Sequence, residues 1–339
     1  MKDKRSERSF SETVFKLYNM IDINKELAQL DWNKEPKGLY EPIAYTLASG
    51  GKRLRPTLAI IAAETVINGG LINSIDDVLP AALALEVFHN FTLMHDDVMD
   101  RAVVRRGQET VHVKWNDNTA ILSGDQMLIE AYKLLAKVPA PKLPQVLNWF
   151  NEMATGVCEG QQLDVDFEHM SQVSIDDYMK MIELKTSVLI AHAMRIGGYL
   201  AGATAVQQEA LYQYGLHIGL AFQIQDDILD VYGDPKTFGK AIGGDICANK
   251  KTALLITALE TADPESKAEL LQWMMGTEEK EQKIAAVTEI YNRLGVREAC
   301  EVIMEQQTAL ALAQLDKLPQ NDSAESLREL AERLANRKS

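Results

Sequence analysis

Three cysteines in 339 residues, at positions 158, 247 and 300, are too few and too widely spaced for a disulfide framework or a thiolate metal site. They read as reduced core or surface thiols of a cytoplasmic protein. Glycine and proline, 20 and 10 residues, are sparse enough to argue against low complexity and disorder. Basic residues are outnumbered 35 to 49, which leaves a net charge of −14. That field repels nucleic acid and anionic membrane surfaces, so neither is expected as a partner. Long hydrophobic runs are also missing. The most apolar long window, Val188 to Val206, contains His192, Arg195 and several glycines, and reads as a buried helix rather than a membrane span. No apolar region follows the charged start MKDKRSERSF, so no secretory signal is visible. Alternating strand patterns, Asn-Gly or Asp-Gly hairpins and a solenoid period are absent as well.

What is present is helical periodicity in a chain that is 46% apolar. Apolar residues recur at three- and four-residue spacing in 42–51, 57–67, 80–100, 123–136, 145–165, 176–201, 207–232, 251–261 and 279–314. Several of these segments are apolar on most sides, as helices in the middle of a bundle are. No Ser-, Pro- or Gly-rich linker divides the chain, so a single all-α domain over residues 1–339 is expected.

One internal echo stands out. DDVMD at 96–100 returns as DDILD at 226–230, each after an apolar helix. Positions i and i+4 of an α-helix differ by about 40° in azimuth and about 6 Å in height, so Asp96 shares a face with Asp100, and Asp226 with Asp230. Asp97 and Asp227 point elsewhere. Like charges one turn apart disfavour a helix slightly unless something neutralises them. A solvated acidic face is the bland reading of one such motif; two copies favour Mg²⁺, which takes a few carboxylates and completes its shell with water and substrate phosphates.

The arginines that follow fit the same ligand. Arg105 and Arg106, one to two helical turns beyond the acids, can meet diphosphate oxygens with planar forks. Arg101, directly after Asp100, reads as a surface or local ion-pair residue. GGKRLRP at 50–56 is a basic turn before a proline-started helix, where Lys52, Arg53 and Arg55 would hold a second anion. Two phosphorylated substrates would follow. Glu86 and His89 form the ExxH of di-iron bundles, but no second such motif completes that site.

GGKRLRP, DDVMDRAVVRRG, GQQLD, FQIQDDILD, GKAIGGDI and NKKT, in this order over almost the whole chain, make it resemble the trans-isoprenyl diphosphate synthases of the polyprenyl synthetase family. The resemblance implies a bundle of mostly antiparallel helices around a deep central cavity, and a homodimer. It implies Mg²⁺, about three ions per active site, on Asp96, Asp100, Asp226 and Asp230, with Asp97 and Asp227 in the same signatures. Lys52, Arg55, His89 and Arg106 match the isopentenyl diphosphate site. Arg105, Lys185 and Lys240 match residues that hold the allylic diphosphate, and Lys250 falls near another lysine of that region. Thr186 and Gln223 match positions lining the allylic carbon. Gln161 and Asp164, on one helical face, resemble supporting residues. The terminal Arg337-Lys338 resembles a basic tail that closes over the site.

The chemistry so implied is ionisation of an allylic diphosphate (dimethylallyl, geranyl or farnesyl), attack by isopentenyl diphosphate and loss of a proton. Product length would follow from residues upstream of Asp96. Geometry alone points to Thr92, whereas the resemblance points to Phe91, five before the aspartate. Aromatic Phe91 with small Thr92 and an uninserted DDVMD suggests geranylgeranyl diphosphate, with farnesyl diphosphate as the alternative. A class I terpene cyclase would need no GGKRLRP, and a non-catalytic partner subunit would not keep both pentapeptides intact.

Overall fold

The computed structural model describes residues 22–67, 75–233, 242–276 and 279–336. The chain is all-α: α1 (Ile23–Ala28), α2 (Lys37–Ala48), α3 (Leu54–Val66), α4 (Leu79–Met99), α5 (Val111–Lys114), α6 (Asp117–Leu135), α7 (Leu143–His169), α8 (Ile175–Ile182), α9 (Val188–Leu200), α10 (Ala205–Tyr232), α11 (Gly244–Ala248), α12 (Ala253–Thr261), α13 (Pro264–Met275), α14 (Lys280–Arg293), α15 (Val296–Leu315) and α16 (Asp322–Asn336). These group into two compact units. The first comprises Met1–Asn151, His192–Tyr212 and Asp316–Leu330; the second comprises Glu152–Ala191, Gln213–Leu315 and Ala331–Ser339.

Local chemistry sets the helix ends. Asn116 accepts the Thr119 N–H and starts α6, and Ser174 and Asp177 form a reciprocal capping box at α8. Thr252 and Asp263 cap α12 and α13 by accepting backbone N–H groups, Leu255 for the one and Glu265 and Ser266 for the other. In the first unit, α3 is buried from Leu54 to Ala63 on nearly every side, and α4 packs against both α3 and α6. In the second unit, α12 packs on α8 and α15, and α14 on α11, α13 and α15. The three cysteines are free, and among the described residues no helix is long and apolar enough to cross a membrane.

Two helical stretches of the sequence are subdivided. The apolar pattern of 279–314 breaks at Gly295 into α14 and α15. That of 176–201 holds a π-helical turn, Glu183–Ser187, between α8 and α9. The periodicity of an amphipathic face barely changes across such an insertion, so the pattern does not reveal it.

Strands are the larger difference. Val104–Arg105 (β1) and Gln108–Glu109 (β2) form an antiparallel ribbon, with Arg105 opposite Gln108. Its two-residue loop is Arg106-Gly107, with φ of 54° and 75°. Positive φ at both positions is what a tight hairpin of native twist requires, and Gly107 meets it without strain. Two-residue strands show no alternation, and Arg-Gly is not the usual hairpin dipeptide, so the sequence offered no signal.

The candidate active site

In the first unit the site is built at the C-terminal end of α4. The helix stops through a Schellman-type closure: Ala102 N–H donates to Asp97 O at 3.0 Å and Arg101 N–H to Val98 O at 3.4 Å. Arg101 takes the left-handed position with φ 53°, where glycine is customary. Chain reversal, not two further helical turns, therefore brings the arginines to the aspartates. Arg105 Nε donates to Asp97 Oδ1 at 2.6 Å, and its Nη2 lies 3.4 Å from Asp96 Oδ2. Asp97 is buried, and desolvation raises its pKa despite Arg105. Asp96 is half-buried and Asp100 exposed. Arg101 forms an exposed ion pair with Asp117, as its position suggested.

The basic turn divides into inward and outward members. Arg53, left-handed at φ 46°, is 5% exposed and bonds Glu86 Oε1 at 2.7 Å, Leu47 O at 2.5 Å and Asn24 Oδ1 at 3.0 Å. Its charge is committed to Glu86, so Arg53 is a fastening of the turn rather than an anion ligand, and Glu86 is occupied likewise. Lys52 is exposed and Arg55 half-buried. Arg106 donates to Gly50 O, tying the ribbon to the turn. Arg106 and Arg105 line a cleft with Thr46, Ser49, Asn90 and Asp97. Desolvation, then Arg55, Arg106, Arg105 and Arg53, hold His89 well below the usual imidazole range, so it is neutral at neutral pH.

Phe91 packs its ring at 5.5 Å from Phe88 and 4.8 Å from His95, and Thr92 turns its hydroxyl back to His89 O at 2.8 Å. The Thr92 side chain is thereby folded onto its own helix, while Phe91 stands in the aromatic row.

In the second unit the motif lies within α10. Asp227 is buried and accepts the Tyr178 hydroxyl at 2.6 Å, Ala253 N–H at 3.0 Å and Gln223 Nε2 at 3.1 Å. Burial, then Asp245, push its pKa up to about 7. Asp230 accepts the Asp245 N–H at 3.0 Å, and Asp226 is half-buried. The π-helical turn carries Lys185 and Thr186. Lys185 Nζ pairs with Asp164 Oδ2 at 2.6 Å, and Thr186 Oγ1 donates to Gln223 Oε1 at 3.1 Å. The turn fits because α7 presents Gly160: a Cβ there would sit 2.2 Å from Lys185 N. Gln161 and Lys250 are half-buried; Lys240 and Arg337-Lys338 lie outside the described residues.

The structure thus joins Asp96, Asp97, Arg105, Arg106 and His89 in one unit, and Lys185, Asp164, Thr186, Gln223 and Asp227 in the other. Sequence reasoning missed Tyr178, which reads as one more apolar position of α8, and the Arg53–Glu86 pair, whose partners are 33 residues apart. Carboxylate oxygens are hard donors, and no three His, Cys, Asp or Glu side chains converge among the described residues. A pair of carboxylates on one helical face suits Mg²⁺, which leaves most of its shell to water and phosphate.

Residues 36–293 match the polyprenyl synthetase family, and the chain belongs to it. A geranylgeranyl diphosphate synthase of Methanosarcina mazei is 44% identical over 66% of this chain and 68% of its own. A geranylfarnesyl diphosphate synthase of Natronomonas pharaonis is 36% identical over 90% of this chain and 91% of its own. Among solved structures, a geranylgeranyl pyrophosphate synthase superposes with a TM-score of 0.86 at 41% identity, covering 98% of this chain and 100% of that one. A polyprenyl synthase from Caulobacter crescentus, complexed with calcium and isoprenyl diphosphate, gives 0.82 at 28% identity, over 97% and 95%. The protein is accordingly a prenyltransferase, a short-chain isoprenyl diphosphate synthase with the all-α fold of that class.

Proposed function

We propose that this enzyme condenses isopentenyl diphosphate with an allylic diphosphate to give geranylgeranyl diphosphate. The observation that carries the reading is the electrostatics of α4 and its neighbours: burial, reinforced by four nearby guanidiniums, keeps His89 neutral, and about two turns further along the same helix Asp96 and Asp97 stand beside Arg105. Such an arrangement holds a polyanion against a net charge of −14. Lys52, Arg55, His89 and Arg106 hold isopentenyl diphosphate, with the neutral imidazole donating one hydrogen bond. Arg105, Lys185, Lys240 and Lys250 hold the allylic diphosphate. Asp96 and Asp100, with Asp226 and Asp230, would hold Mg²⁺, which supplies stabilisation of the charge that builds on the departing diphosphate. Asp97, Asp227, Gln161 and Asp164 brace these groups. Thr186 and Gln223 present oxygen lone pairs toward the allylic carbon as it becomes positive.

Phe91 sets the length of the product, with the growing chain running along α4 until the ring blocks it. Ile121, Leu122, Ile129 and Tyr132, 42%, 58%, 50% and 37% exposed, share one face of α6 within about 100°. A second copy of the chain covers this face in a homodimer, because contiguous exposed apolar rows mark interaction surfaces. Incubation with isopentenyl diphosphate, Mg²⁺ and dimethylallyl, geranyl or farnesyl diphosphate tests the function, with products sized by mass spectrometry. A twenty-carbon product is expected; fifteen or twenty-five carbons would move the floor and keep the reaction, and no condensation with any primer would refute it. Sedimentation of Leu122→Glu tests the homodimer, which should dissociate.

A further inference from the structure

The geometry points to Asp227 and Tyr178 as positioning residues that fix which end of the Gln223 amide faces Thr186; the inference rests on the reaction proposed above. A carboxamide can be turned either way, and the two orientations offer opposite dipoles to a developing cation. Here the choice is forced from behind. Tyr178 O–H and Ala253 N–H both donate to Asp227 Oδ2, at 2.6 and 3.0 Å. Oδ1 remains and accepts Gln223 Nε2 at 3.1 Å. With its nitrogen bound, Gln223 can only turn Oε1 forward, where it accepts the Thr186 hydroxyl at 3.1 Å. The Thr186 proton is then directed at Gln223, and the lone pairs of both oxygens are left for the substrate side. Peptide N–H, phenol, carboxylate, carboxamide and alcohol form one oriented chain, and no member of it can be reversed without leaving a buried group unsatisfied.

Asp227→Asn tests this because it keeps the shape and reverses the chain. The Ala253 N–H is part of the backbone and still demands an oxygen, so the new Asn turns its oxygen to Ala253 and its NH₂ to Gln223. Gln223 must then flip and present its own NH₂ to Thr186. Adding Gln223→Glu restores an acceptor to both neighbours, since a carboxylate accepts from the Asn NH₂ and from Thr186 alike. In steady-state assays at about pH 8, D227N should lower kcat about 100-fold, with the KM for isopentenyl diphosphate and the Mg²⁺ requirement within about twofold of wild type. Q223E alone should also be slow, because it places two carboxylates side by side. The double variant D227N/Q223E should be about tenfold faster than D227N. A merely structural role for Asp227 would not produce that crossed rescue. Tyr178→Phe, which removes one donor and leaves the fold intact, should lower kcat severalfold at unchanged KM, and carries the test if D227N fails to fold. A double variant no faster than D227N, or a Tyr178→Phe enzyme with wild-type kcat, overturns the inference while wild-type activity stands. An inactive wild type overturns the functional reading and the inference together.

Discussion

The two aspartate pentapeptides are near copies in sequence, and the protein treats them differently. DDVMD ends its helix: Asp100 is the cap, and a chain reversal returns Arg105 to Asp97 at 2.6 Å. DDILD stays inside α10, where Asp227 meets a phenol, a peptide N–H and a carboxamide, all uncharged. In both, the second aspartate is buried and the first is half-buried, while the last is buried in DDILD and exposed in DDVMD. The lesson is one of division of labour within a motif. A guanidinium can neutralise a buried carboxylate and still reach a ligand, whereas neutral donors fix geometry without adding charge. The first motif therefore collects charged side chains, and the second anchors the oriented pair Gln223 and Thr186.

Removing the half-buried aspartates should have the largest effect and should erase the contrast. Asp96→Asn and Asp226→Asn are each expected to lower kcat about 1000-fold, with part of the loss recovered at high Mg²⁺. A mild effect at either position, in the same product assay, would break the parallel between the motifs. Residues just upstream should sharpen it. Phe91→Ala should lengthen the product by one or more isoprene units at a similar rate, whereas Gln223→Leu should keep the length and lower kcat about tenfold. Mass spectrometry of products, alongside initial rates, separates the two; an unchanged product from Phe91→Ala removes that ring from the account.

The scaffolds beneath the motifs differ as well, and thermal unfolding can weigh them. Gly160→Ala pushes a Cβ to 2.2 Å from the Lys185 backbone N, which cannot move independently, so about 3 kcal/mol of stability should be lost. Gly107→Ala meets no atom within 4 Å and suffers only its φ of 75°, which costs about 1–2 kcal/mol. The reverse order would mean that the ribbon, not the π-helical turn, is the stiffer support. His192 provides a control belonging to neither motif. Burial, aided by Arg195, lowers its pKa to about 3 from an ordinary 6.5. Below pH 6.5 the unfolded chain takes up a proton that the folded chain refuses, so stability present above that pH is lost as pH falls toward 3. His192→Leu should flatten this acid limb in denaturant titrations; an unchanged slope would place the acid sensitivity elsewhere.

Much of this was legible in advance. The apolar pattern located α3, α4, α7 and α10 to within a few residues, because a buried helix of two or more turns must repeat its greasy positions at the helical period; it missed the opening turns of α6. Spacing alone put Asp96 and Asp100, and Asp226 and Asp230, on common faces. The end of α4 was not legible: Arg101 does the work of a C-terminal glycine, and its left-handed conformation is held by contacts rather than announced by residue type. Arg53 looked like its neighbours Lys52 and Arg55, and only the backbone twist at the start of α3 turned it inward to Glu86.

By itself, then, the sequence determined the helical class, the carboxylate and arginine inventory and the family. Each of these depends on residue types at short, fixed spacings, which a helix converts directly into geometry. Tertiary structure alone decided which charge meets which. The Arg105–Asp97 pair, the π-helical turn against Gly160 and the chain from Tyr178 through Asp227 to Thr186 join residues 8 to 49 positions apart. Contacts at such separations are set by how elements pack, and whether a polar group is satisfied there depends on neighbours that no local pattern encodes.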